Sequence, residues 1–74
     1  MFIIYGKRTG ALDEKGNPIF DKTFKALDYE GCRVDKLSDA GTYAERADAK
    51  EVIETRCKTA IENKTAVFEI RKAK

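Results

Sequence analysis

Histidine and tryptophan are missing from this 74-residue chain, cysteine occurs twice and proline once. Without histidine, the commonest general base and the commonest metal ligand are both gone. Cys32 and Cys57 lie far apart and form no Cys-x-x-Cys, so the spacing holds no zinc site. Neither a metal nor a cofactor is expected. Long hydrophobic runs are also missing, and no stretch approaches the length needed to cross a bilayer. The apolar opening Met1-Phe2-Ile3-Ile4-Tyr5 has no basic flank, is too short for a signal-peptide core, and runs straight into Gly6-Lys7-Arg8. It reads as a strand. A soluble, cytoplasmic protein without a membrane partner is expected, with both cysteines free in that reducing compartment. An excess of one charge is the last absence. Fifteen basic and 13 acidic residues leave a net charge of +2, and the two signs are interleaved throughout. A dedicated nucleic-acid binder clusters its positive charge, so this pattern counts against that class.

What is present suits one small domain spanning 1–74. Hydrophobic residues make up 42% and charged residues 38%, too apolar for a disordered chain. A chain of this size buries only about 60% of its unfolded surface, so a homodimer that shares core surface is among the expected assembly states. The chain contains no internal repeat, linker or low-complexity segment.

The clearest element is a helix over Glu45–Lys64. Ala49, Val52, Ile53, Cys57, Ala60 and Ile61 recur at three-and-four spacing along one face, with Lys50, Glu51, Glu54, Lys58 and Glu62 opposite. Glu54 and Lys58 stand in the favourable acid-first order four residues apart. No Ser, Thr, Asp or Asn occupies the cap position, and Asn63 is the expected left-handed residue at the end. Phe2–Tyr5 is apolar on both faces, which suits a central strand covered on both sides, or on one side plus an edge contact. Asp13–Pro18 gathers turn formers, after which Ile19–Leu27 alternates as a strand with Phe20, Phe24 and Ala26 inward and Lys22 as the misfit. Tyr29-Glu30-Gly31 reads as a turn and Cys32–Leu37 as a short third strand. Thr65–Arg71 alternates as the last strand, and Lys72-Ala73-Lys74 as a frayed basic tail. The expected fold is α+β: a small antiparallel sheet of three to four strands with one helix on a face, in the order β-β-β-α-β.

The chemistry of catalysis does not assemble. Gly6-Lys7-Arg8-Thr9-Gly10 has the wrong order for a phosphate loop, and no helix follows it. Asp13 with Glu14, and Asp28 with Glu30, are carboxylate pairs placed in turns, where acids bond locally to backbone. Cys57 belongs to the apolar stripe and Cys32 to a strand edge or core. No catalytic residue is assigned, and the chain is not expected to be an enzyme.

Recognition is the remaining class. For a protein partner the candidates are an exposed strand edge, the charged helix face around Lys50, Glu54 and Lys58, and the aromatics Tyr29 and Tyr43 where exposed. For nucleic acid the candidates are Lys7, Arg8, Lys64, Arg71 and Lys72. Antiparallel first and last strands would set Lys7 and Arg8 near Lys64 and far from Arg71. A structural homo-oligomer is the third reading.

The run Asp39-Ala40-Gly41-Thr42-Tyr43-Ala44-Glu45-Arg46-Ala47-Asp48-Ala49-Lys50-Glu51-Val52-Ile53, closing on Val67-Phe68-Glu69-Ile70-Arg71-Lys72, resembles small phage and prophage accessory proteins. In that group an aromatic step precedes a helix and a terminal strand; Glu45 departs from the Ser or Thr often found at the cap. The resemblance covers the second half of the chain. It implies a non-catalytic binder, such as an inhibitor of host or defence machinery of the anti-CRISPR kind, and assigns no site residue.

Overall fold

The computed structural model describes residues 1–73. Strand β1 (Phe2–Leu12) is the axis of a four-stranded antiparallel sheet. One edge of β1 receives β2 (Pro18–Phe20) at Thr9–Leu12 and β3 (Lys25–Ala26) at Tyr5–Gly6. The same edge then bridges Phe2 to Tyr43. The other edge receives β4 (Ala66–Lys72) along Phe2–Arg8. Helices α1 (Arg46–Arg56) and α2 (Lys58–Glu62) follow one another between β3 and β4 in sequence. The expected α+β fold, a small antiparallel sheet with a helix packed on a face, is the fold observed. Lys74, read above as the end of a basic tail, lies outside the described residues, while Ala73 N–H donates to Met1 O at 2.7 Å.

Both faces of β1 are covered, the first of the two arrangements that its unbroken apolar run allows. On the helix side, Ile4, Leu27, Tyr43 and Ala49 form the larger core, with Val52, Ile53, Phe68 and Ile70 against it. Ile4 and Leu27 are each 1% exposed. On the other side, Ile3, Ala26 and Ala40 form a smaller cluster flanked by Tyr5, Val34 and Ala73. Fully burying an Ile or Leu side chain contributes about 1.5–3 kcal/mol, so the helix side carries most of the stability.

Several local expectations are corrected. The strand read over Ile19–Leu27 splits into β2 and β3 because Asp21 replaces the ladder with its side chain. Its carboxylate accepts the Arg8 backbone N–H at 2.7 Å and binds the Arg8 guanidinium through Nε at 3.0 Å and Nη2 at 3.1 Å. Arg33 Nη1 donates to the same carboxylate at 2.9 Å. Phe20, expected inward, is exposed as a result of this break. The strand read over Cys32–Leu37 reduces to a bridge between Leu27 and Arg33, followed by a 3-10 turn at Leu37–Asp39. Cys32 and Leu37 are exposed.

The single helix breaks at Cys57, whose backbone (φ −109°, ψ 13°) closes α1 and starts α2. The Cys57 thiol is buried, which pushes its pKa up. At the end of α2 the left-handed residue is Lys64 (φ 57°), not Asn63 (φ −85°). Thr65 N–H donates to Ala60 O and Lys64 N–H to Ile61 O, the paired bonds of a Schellman turn. Glu45 caps α1 without a side-chain hydrogen bond, as the missing cap residue implies.

Candidate protein-recognition edge

The register of β1 decides which backbone groups remain free. Leu27 N–H donates to Ile4 O at 2.9 Å and Asp21 N–H to Arg8 O at 2.8 Å, so even-numbered residues of β1 face β3 and β2. Odd-numbered residues therefore face β4, as Thr9 N–H donating to Thr65 O at 2.8 Å shows. Ile3 pairs with Arg71, Tyr5 with Glu69 and Lys7 with Val67. These β4 residues turn their peptide groups inward. Ala66, Phe68, Ile70 and Lys72 consequently turn theirs outward, and among the described residues no strand pairs with them.

Beside this edge lies a groove of about 630 Å³, bordered by Ile53 and Ile61 of the helices and by Ala66, Val67 and Phe68 of β4. Ile61 is 44% and Val67 43% exposed. Ile61 was expected on the buried stripe; the break at Cys57 instead leaves it half-covered at the groove. On the opposite face of the same strand Glu69 and Arg71 form an ion pair. An extended chain added to β4 would thus meet backbone hydrogen bonds, apolar side chains on one face and a charged pair on the other.

The expected aromatic anchors separate. Tyr29 is 58% exposed but pinned by its hydroxyl, which lies 3.3 Å from both the carbonyl oxygen and the Oγ1 of Thr42. Hydrogen bonding to Thr42 lowers its pKa. Tyr43 is only 9% exposed and packs edge-on against Tyr29, with ring centroids 5.6 Å apart. Its place in the core, where it bridges Phe2, removes it from the surface candidates. Burial raises the Tyr43 pKa, and its hydroxyl has no hydrogen-bond partner among the described residues. Lys50, Glu54 and Lys58 are exposed. Glu54 and Lys58 fall in different helices and form no salt bridge; Lys58 pairs with Glu62 at 3.8 Å.

The basic candidates do not form one patch. Arg8 is committed to Asp21, which it holds well below the usual carboxylate range. Lys64 closes α2 and Lys72 is exposed near the end of β4. Lys7 and Arg71, four pairs apart in the register, nevertheless converge: they lie 5.3 Å and 5.5 Å from the centre of the Phe24 ring. Arg71 also stacks 4.4 Å from the centre of Tyr5. Sequence reading missed this convergence because Phe24 joins two strands that do not touch it in sequence.

Asp28, Glu30 and Cys32 bring their ligand atoms within 4.8 Å of one another. Turn geometry accounts for this, since Asp28 Oδ1 accepts the backbone N–H groups of Glu30 and Cys32 at 2.9 Å each. Compared with known proteins, the chain matches no family model, no curated protein and no solved structure.

Proposed function

We propose that this chain is a non-catalytic recognition module that binds a protein by strand addition along the outer edge of β4. The observation that carries the reading is the run of outward peptide groups at Ala66, Phe68, Ile70 and Lys72 beside the apolar groove. Edges of this length are usually blunted by proline, a bulge, a covering element or charge; β4 contains no proline, no described residue pairs with its outer edge, and its charges are confined to Glu69, Arg71 and Lys72. Its resemblance to small phage and prophage accessory proteins extends the proposal to inhibition of host or defence machinery.

The test is affinity capture with tagged protein, comparing the native chain with Ile70→Pro. Proline is tolerated at an edge position whose N–H points outward, but it removes that donor. A partner lost by Ile70→Pro, with circular dichroism unchanged, is the expected result. Equal capture by both proteins would count decisively against strand addition.

A second reading, binding of single-stranded nucleic acid, draws on the convergence of Lys7 and Arg71 over Tyr5 and Phe24. Cations and rings on one sheet face suit phosphates and stacked bases. Under that reading affinity for an oligonucleotide falls steeply as salt rises; no binding at low salt removes it.

A further inference from the structure

We propose that the strand received by β4 is the β4 of a second copy of this chain, an inference that rests on reading this edge as the recognition surface. Two-fold antiparallel pairing sets outward-facing residues opposite one another, so even-numbered residues of β4, Phe68, Ile70 and Lys72 among them, meet even-numbered residues of the second copy. Val67, Glu69 and Arg71 then occupy the non-hydrogen-bonded positions, where facing side chains approach most closely. Charge selects among the registers. An axis through Glu69 would set the two Glu69 carboxylates against each other. An axis through Phe68 would face Glu69 with Val67 and Arg71 with Thr65, leaving both charges without a partner across the strands. An axis through Ile70 faces each Glu69 with the second copy's Arg71, forming two opposite-charge pairs across the axis.

Glu69-Ile70-Arg71 is therefore self-complementary: acid, apolar residue and base, read antiparallel, supply the base and acid the other strand requires. Within one chain Glu69 and Arg71 already share a face and an ion pair, so pairing exchanges neighbours without new desolvated charge. On the helix side the two Ile70 side chains meet, a β-branched pair of the kind that stabilises strand pairing. An 8.4 kDa chain has little core of its own, and a continuous sheet across two copies enlarges it.

The test is a charge exchange read by native mass spectrometry and sedimentation. The native chain is expected at twice its 8.4 kDa mass. Glu69→Arg and Arg71→Glu each create two like-charge pairs in the homodimer, and each is expected to weaken self-association about ten-fold or more. Mixing the two variants restores complementarity in both pairs and yields a one-to-one heterodimer, which also establishes that both variants fold. A native chain that stays monomeric at sub-millimolar concentration overturns the proposal. So do single variants that dimerise as the native chain does, or a mixture that fails to associate. The broader edge reading fails on a different result, capture of another protein that Ile70→Pro leaves intact.

Discussion

On the helix side of β1 stand Ile4 and Gly6, packed beneath Leu27, Tyr43, Ala49 and Phe68; on the other side stand Ile3, Tyr5 and Lys7, with Ala26, Ala40 and Phe24. The first face is closed by aliphatic volume and an aromatic core residue. The second is closed by small residues, a loop, and cations laid over rings. One strand thus separates a face that supplies stability from a face that displays chemistry, and β4 carries both properties to its open edge.

The largest expected effect tests the stability half of that contrast. Ile4→Ala should cost about 3–4 kcal/mol and Ile3→Ala about 2 kcal/mol in urea unfolding, because Ile4 empties the better-packed cavity. Equal losses would erase the distinction. Gly6→Ala comes next. A Cβ there would stand 2.8 Å and 2.9 Å from atoms of the Phe68 ring, so overpacking of about 1–3 kcal/mol is expected from the melting temperature. Tyr43→Phe should act in the opposite direction, raising stability by about 1 kcal/mol, since it removes a buried hydroxyl that has no hydrogen-bond partner among the described residues. Arg71→Gln on the other face should cost less than about 1 kcal/mol while diminishing any salt-sensitive oligonucleotide binding, because exposed cation–ring contacts are weak.

Acidification acts through Asp21, whose folded pKa is depressed, chiefly by its hydrogen bond to Arg8. Its contribution is present above the unfolded value of about 4 and is lost as pH falls toward the folded value. Stability should therefore hold through neutrality and decline below about pH 4, and Asp21→Asn should flatten that decline in acid-dependent melting curves.

Much of this was legible in the residues. The two-sided apolar run suited β1 as a central strand, the three-and-four spacing marked the helix and placed Cys57 on its apolar stripe, and alternation marked β4 without deciding which of its faces is buried. The exposed strand edge was also legible as a candidate, but not which edge, since that follows from strand order. Local patterns failed where a side chain took over a backbone role. The Asp21 carboxylate replaces part of the β ladder, so alternation through Lys22 and Thr23 carried no strand. Two turns escaped notice as a pair: Asp13 and Asp28 each accept N–H groups two and four residues on, and Gly16 and Gly31 follow at φ 83° and 85°. The exposure on which Tyr43's candidacy as an anchor depended was not legible, because its burial involves a bridge to Phe2, far away in sequence.

The pairing of β1 with β4 also has a kinetic side. The longest ladder in the sheet runs inward from Phe2 and Lys72, near opposite ends of the described residues, so loop closure precedes most of its reward. Synthesis from the N-terminus leaves β1 with β2 and β3 alone until residue 72 has emerged. The half-built sheet then exposes the apolar edge that β4 later covers. Folding should accordingly be slow for so short a chain, and aggregation should be sensitive to how quickly the final strand arrives.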